Sequence, residues 1–509
     1  MNKNINPIIK TDYPDPDVVR VGDVYYMVST TMYFMPGGAL LKSYDLINWE
    51  PVGYLFDRLD DSAAERMEQE KTEYAGGMWA PSLKYHNGRF YCFFVSHSAK
   101  VNYLFSADKF EGPWERQAVE GNFHDASILF DEGRTYVVYG NRDIYITELN
   151  DELTGPKENG LHRLIVHDDH EGLGYEGAHI YKIGKYYYLF LINWPKGSVR
   201  TQNCFRAESL TGDFRGGRVL KDCGEFPGRG AAQGGIVDTP DGRWFSIMFR
   251  DMGAVGRIPV LCPVTWEDDM PVFGVDNVIP AKFPTVEAKN YKYAPLYTSD
   301  SFDYPVKEDE KPELKLQWQW NHQPDPNLWA IAEDGGLRIT TGKICANLTH
   351  ARDTLTQRMM WPKCEARVTV DSSELNDGDF AGLCVLQSRY AMVGIKKELA
   401  AAYLVVVAYD DAAMPRSMGA ADYMPGRIME KLRLKGQTAK VAIKADFEND
   451  RDEAEFWFLD NGEWRQVGDC HRMVFDLSHF TGNRFGLCAY STRKTGGAAV
   501  FTDFEYLYD

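Results

Sequence analysis

One pattern of apolar and polar positions recurs five times within residues 1–295: an apolar run, a tight turn around glycine, then an aromatic-rich run. It reads VVRVGDVYYMV from Val18, LKYHNGRFYCFF from Leu83 and ILFDEGRTYVVY from Ile128. It continues as IYKIGKYYYLF from Ile180 and IVDTPDGRWFSIMF from Ile236. The turn glycines are Gly22, Gly88, Gly133, Gly184 and Gly242, separated by 66, 45, 51 and 58 residues. β-Branched and aromatic runs joined by such turns predict β-hairpins. More polar strands follow, as in LLKSYDLINWEPV and YLFSADKFEGPWERQ, and two hairpins make a four-stranded blade. Units of roughly 40–50 residues are the spacing of propeller blades. The pattern predicts a five-bladed β-propeller over residues 1–295. Helical signals are nearly absent; the segment DSAAERMEQEK from Asp61 predicts one short helix in a loop.

From Pro284 to Lys315 the chain turns polar and rich in Pro, Lys and Glu, which reads as a linker. From about Leu314 short strands resume, among them ARVTV, AGLCVLQ, YLVVVAY and EAEFWFL. About ten or more strands without helices predict a jelly-roll-like β-sandwich over residues 296–509. The fold class is all-β.

Composition narrows the function. Apolar residues make up 44% and charged residues 26%, which excludes global disorder. The net charge, 56 − 74 = −18, repels phosphate backbones and anionic membranes. Neither nucleic acid nor membrane is an expected partner, and homo-oligomerisation is left open. Nine cysteines without a CxxC pair argue against a disulfide framework or a zinc site. The N-terminal segment lacks an apolar leader, so the expected location is cytoplasmic. The aromatic content of 13% suits both β-strands and the stacking walls of sugar sites.

Acidic residues precede three of the five turn glycines at matching distances: Asp15 by seven, Asp125 by eight and Glu176 by eight. Trp79-Ala80-Pro81 and Gln233-Gly234-Gly235 hold the place in the second and fifth units. In a propeller these positions start the innermost strands, so three carboxylates converge at one mouth of the channel. Glycosidic hydrolysis needs an acid for the leaving oxygen and a base for water. Two carboxyls supply both when their pKa values are pushed apart, and a third can hold the acid protonated. A water between base and sugar implies a separation of about 6.5–9.5 Å and inversion. Calcium is the competing use of three carboxylates, but DxDxDG-type spacing is absent. Asp12 and Asp17 lie close to Asp15, and strand alternation alone does not choose between Asp15 and Asp17.

The segments NPIIKTDYPDPDVVRVGDVYYMVSTT, GGMWAPSLKYHNGRFY, NFHDASILF and YEGAHIYKIGKYYYLF, in that order, resemble glycoside hydrolase family 43. So does AAQGGIVDTPDGRWFSIMFRDMGAVGRIPVLCPVTWEDDMPVFG. The resemblance implies an inverting exo-glycosidase with Asp15 as general base, Asp125 as the residue that tunes and orients the acid, and Glu176 as general acid. It implies Trp79 as a wall of the sugar pocket and Arg257 as a residue that binds sugar hydroxyls or assists the acid. His179, Phe34, Trp194 and Gln233 are further candidates for substrate binding. Many family members carry His where this chain has Gln233, and in some that His ligates calcium. No cofactor is expected to be required, and Gln233 leaves a structural calcium ion without support.

LQWQWNHQPDPNLW resembles the C-terminal sandwich of the xylosidase-like branch, where a sandwich loop closes one side of the pocket. The alternative use of the sandwich is as a separate carbohydrate-binding module. The expected activity is release of a terminal pentose from xylo-oligosaccharides or arabinose-decorated oligosaccharides, by a β-D-xylosidase with α-L-arabinofuranosidase activity. Rival readings are an exo-arabinanase or an arabinofuranosidase without xylosidase activity, a retaining five-bladed relative acting on fructans or sialosides, a non-catalytic sugar-binding propeller and a WD-type interaction propeller.

Overall fold

A computed structural model describes residues 4–224, 226–287, 290–305, 311–409 and 417–508. The five hairpin units form five antiparallel sheets in chain order. The first blade comprises Asp17–Val21, Val24–Ser29, Gly37–Ser43 and Glu50–Phe56. The second comprises Met78–His86, Arg89–Ser96, Val101–Ala107 and Glu115–Val119. The third comprises Ser127–Asp131, Arg134–Asn141, Asp143–Glu148 and His162–His167, and the fourth Gly172–Ile183, Tyr186–Pro195, Thr201–Ala207 and Arg215–Leu220. In the fifth the innermost strand is split into Ala231–Ala232 and Ile236–Asp238, followed by Trp244–Asp251, Arg257–Glu267 and Met270–Phe273.

The turn glycines explain the hairpins. All five have positive φ, between 60° and 82°, and open space where a Cβ would lie. Backbone conformation, not crowding, selects glycine there. The innermost strand of the first blade contacts those of the second and fifth, so the ring closes. The N-terminal segment reinforces the closure: Asn6 and Leu261 exchange two hydrogen bonds of 2.8 Å, and Tyr13 N donates to Arg257 O at 3.0 Å. The aromatic surplus packs largely between blades, as where Tyr26, Phe90, Phe94, Phe105 and Phe110 share one cluster. All nine cysteines are free, and seven are buried.

The helix expected from Asp61 does not form. Ser62 and Glu65 begin as a capping pair, with Glu65 N donating to Ser62 Oγ at 3.1 Å and Ser62 N to Glu65 Oε2 at 3.2 Å. Helix growth then fails because Met67 and Gln69 take left-handed φ values of 50° and 53°. The backbone carbonyls of Glu65 and Met67 are taken instead by Gln323 N and Lys343 Nζ of the second domain. Tertiary docking overrides local propensity there.

The second half is a sandwich of two large sheets around one apolar core. The propeller lends one sheet a strand, Phe34–Met35, which pairs with Gln319–Asn321. The central strands Asp379–Leu386 and Arg484–Ser491 of that sheet are buried at every position. One of its faces meets the second sheet; the other packs Phe380, Cys384 and Tyr490 against Met32, Tyr33 and Tyr74 of the propeller. The segment read as a linker is tied down on both sides. Val286 and Leu296 pack on the propeller core, whereas Tyr297 and Phe302 join the sandwich core. Residues 306–310 of that segment lie outside the described residues.

Asp12 is the staple between domains. Its carboxylate accepts from Arg257 N at 2.7 Å and from Gly482 N of the sandwich at 2.9 Å, and Arg358 Nε donates to its carbonyl at 2.8 Å. Asp12→Ala strands two buried N–H groups and is expected to cost roughly 2–4 kcal/mol. Chemical denaturation checks this; an unchanged unfolding midpoint contradicts it.

Candidate active site

Matching points before or within the five innermost strands share a backbone feature. Asp15, Ala80, Asp125, Gly177 and Gln233 all have positive φ, at 50°, 29°, 47°, 62° and 59°. Strand pairing is irregular between Trp79 and Ser82 and on both sides of Glu176. A left-handed residue turns each strand as it reaches the axis and frees the adjacent side chain from strict alternation. Aspartate tolerates this conformation better than most residues. Asp15 and Asp125 occupy the kink itself, whereas Glu176 precedes the kink at Gly177 by one residue.

Asp15 is buried and paired with Arg257, whose Nη1 lies 3.0 Å from Oδ1. Burial pushes the Asp15 carboxyl above its ordinary range, against the pull of Arg257. The Arg257 guanidinium is sandwiched between rings, 5.3 Å from the centroid of Phe249 and 4.6 Å from that of Phe480. Its Nε and Nη2 are buried without a hydrogen-bond partner. Two unspent donors beside a carboxylate suit a hydroxyl-bearing ligand.

Asp125 is buried, and its backbone carbonyl accepts from Ala178 N at 3.1 Å, which ties it to the Glu176 strand. Burial pushes its carboxyl up to about 7; His124 opposes this, while the like charges of Glu176 and Asp15 add to it. The three carboxylates therefore converge. Glu176 Oε2 accepts from His124 Nε2 at 3.3 Å and from Asn141 Nδ2. Asp125, and then Glu176, raise His124 to about 9, against its burial.

Asp17 is a different kind of group. Its Oδ2 accepts from Leu83 N at 2.7 Å, its Oδ1 lies 3.1 Å from His179 Nδ1, and Lys84 Nζ stands 3.7 Å away. Burial alone would raise it, but Lys84, His179 and the Leu83 N–H hold it below its ordinary value. It ties the first, second and fourth blades together. This corrects the expectation for His179, which is buried and committed to Asp17 rather than offered to a sugar.

The structure separates the remaining candidates. Trp79 is half-buried beside the carboxylates, its ring 4.1 Å from that of His97, 6.1 Å from His124 and 5.4 Å from Phe480. Phe34 is no stacking residue: it is buried between domains with the Arg484 guanidinium 3.4 Å from its ring centroid. Trp194 is exposed at the rim, with Arg200 over its ring at 4.8 Å. Gln233 is buried on the axis against Gly177, and its N–H donates to Gln202 Oε1 at 2.9 Å.

The sequence reading missed His124, Asn141 and Phe480. His124 adjoins Asp125 in HDAS, so a signal was present. Asn141 reaches Glu176 from a neighbouring blade, and Phe480 arrives from the other domain; neither has a local signal. His124, Asp125 and Glu176 offer atoms within 4.8 Å of one another, close enough for a metal. Calcium takes six to eight oxygens. A set of two carboxylates and an imidazole that donates to one of them does not fit that ion.

Residues 5–271 match the model of the glycosyl hydrolases family 43. The chain belongs to this family. Residues 308–507 match the β-xylosidase C-terminal concanavalin A-like domain. This family 43 glycosidase is 26% identical to a β-xylosidase of Formosa agariphila over 565 residues, 99% of this chain and 90% of that protein. It is 28% identical to a non-reducing end α-L-arabinofuranosidase of Bacteroides ovatus over 66% of this chain and 64% of that one. Among solved structures, a bifunctional GH43-CE protein of Bacteroides eggerthii superimposes with a TM-score of 0.91 at 38% identity. That match covers 100% of this chain, which spans 64% of the length of the bifunctional protein. An engineered GH43 hydrolase with endo-xylanase and exo-arabinofuranosidase activity gives a TM-score of 0.87 at 27% identity, covering 99% of both chains.

The raised groups make the site sensitive to pH. A carboxyl or imidazole held protonated above its unfolded value stabilises the fold at low pH, and that contribution is lost as pH rises through the folded value. For Asp125 the loss runs from about 4 upward to about 7. Between about pH 4.5 and 6.5 the wild-type enzyme should therefore lose stability relative to Asp125→Asn. Thermal unfolding at both pH values checks this; a wild type that gains on the variant contradicts it.

Proposed function

We propose that this enzyme is an exo-acting, inverting glycosidase that releases a terminal pentose, acting as a β-D-xylosidase with α-L-arabinofuranosidase activity. The observation that carries the reading is the cluster of Asp15, Asp125 and Glu176 beside the two unspent donors of Arg257. Its walls are Trp79 and Phe480, the second supplied by the sandwich. A ring from the sandwich at this mouth supports a pocket closed on one side, which favours chain ends over chain interiors. The relatives that act on xylosides and arabinofuranosides support the pentose.

In the proposed reaction Asp15 takes a proton from water as the water oxygen attacks the anomeric carbon. Glu176 gives its proton to the leaving oxygen as the glycosidic bond breaks. Asp125 is the buried carboxyl whose electrostatic neighbours are both Glu176 and Asp15, and it retains its proton more readily than an ordinary carboxyl. Arg257 orients Asp15 and offers its free N–H groups to sugar hydroxyls. The cycle leaves Asp15 protonated and Glu176 ionised, and exchange with solvent resets both.

Two predictions test this. The wild-type enzyme should cleave both 4-nitrophenyl β-D-xyloside and 4-nitrophenyl α-L-arabinofuranoside, and Asp15→Ala should lower kcat on each by about 10²–10⁴-fold. Cleavage of the arabinoside alone favours the arabinofuranosidase reading, and binding without cleavage of either favours a sugar-binding propeller. Phe480→Ala should raise KM for xylobiose about 2- to 10-fold, measured by xylose release. An unchanged KM removes the sandwich from the pocket wall.

A further inference from the structure

Two histidines that the reaction scheme above does not use lie in line with Glu176. His124 Nε2 is 3.3 Å from Glu176 Oε2, and His124 Nδ1 is 3.0 Å from His97 Nε2. The His97 ring stands nearly perpendicular to His124, at 83°, and lies against Trp79 at 4.1 Å. Its backbone N–H donates to Gly77 O at 3.1 Å, so both ring and backbone are fixed. Asn141 Nδ2 donates to the same Glu176 oxygen as His124. Two donors thus converge on Oε2, and Oε1 has no partner of this kind among the described residues.

We propose that His124, held in orientation by His97, is a positioning residue for the acid half of the reaction: it fixes Glu176 Oε2 so that Oε1 carries the proton to the leaving oxygen. The proposal rests on the reading of Glu176 as the acid. It assigns the two histidines a joint role. His97 accepts at Nε2 and so spends the Nδ1–H of His124, which leaves the Nε2–H of His124 for Glu176 alone.

The electrostatics agree with this arrangement. The charged groups facing His124 are Asp125, 3.8 Å away, and Glu176; Asp15 and Arg257 act one step further through Asp125. Asp125 and Glu176 favour the doubly protonated ring. Burial first, then His124, lowers His97 to about 4, and Glu176 opposes them, so His97 is a neutral acceptor. A neutral His97 beside a charged His124 gives one direction to the hydrogen bond between them. Asp125 then has a cation at its side, as Asp15 has in Arg257.

The test separates acid positioning from general damage by varying the leaving group. A phenyl xyloside needs protonation of its leaving oxygen, whereas a 2,4-dinitrophenyl xyloside does not. His124→Asn should lower kcat about 10- to 100-fold on the phenyl substrate and under about 3-fold on the dinitrophenyl substrate. KM should change by less than about twofold on either, since His124 is not placed on the sugar. His97→Leu keeps apolar contact with Trp79 and should show the same selectivity at about 3- to 10-fold; it decides the matter if His124→Asn does not fold. Equal losses on both substrates, or no loss on either, overturn the proposal. If Glu176→Ala shows the leaving-group dependence and the histidine variants do not, the positioning role alone fails. If the wild-type enzyme cleaves neither xyloside, the xylosidase reading fails, and the same leaving-group comparison on phenyl and 2,4-dinitrophenyl α-L-arabinofuranosides decides the positioning role by the same outcomes.

Discussion

Two buried carboxylates, Asp15 and Asp125, with a partly exposed third, Glu176, at one mouth of a closed ring are the constraint to which the rest of the molecule answers. Buried like charges are costly unless cations or protons accompany them. The protein supplies both. Arg257 pairs with Asp15, His124 stands beside Asp125 and Glu176, and burial with mutual repulsion keeps a proton in the cluster. The same imbalance is what the proposed division into acid and base draws on.

The ring has to hold this cluster still. Asp17 and His179 cross-brace the blades close to Asp15, with a carboxylate kept ionised by Lys84 and backbone N–H donors. The sandwich completes the site from outside. Asp12 bonds both Arg257 N and Gly482 N, so one side chain fixes the strand of Arg257 and the loop that carries Phe480. The domains are therefore coupled at the pocket as well as through the strand Phe34–Met35 lent to the sandwich sheet.

What was legible in the chain depended on how local its cause was. Hairpins are set by adjacent residues, so five glycine turns predicted five blades, and the register of Asp15, Asp125 and Glu176 followed. The short helix from Asp61 failed because Gln323 and Lys343, far along the chain, compete for its carbonyls. Phe34 looked like a free aromatic because its cover, Arg484, belongs to the other domain. His179 looked like a pocket residue because its partner Asp17 lies on another blade. Phe480 and Asn141 were invisible for the same reason, whereas His124 was adjacent to Asp125 and could have been read from HDAS.

The central claim is that Asp15 activates water while Glu176 protonates the leaving group across the sugar, and the configuration of the first-formed product tests it most directly. Proton NMR during hydrolysis of an aryl β-D-xyloside should show α-xylose appearing first and the β-anomer growing only by mutarotation. Initial appearance of β-xylose would mean retention and a covalent intermediate, and would contradict the assignment of Asp15 as a base.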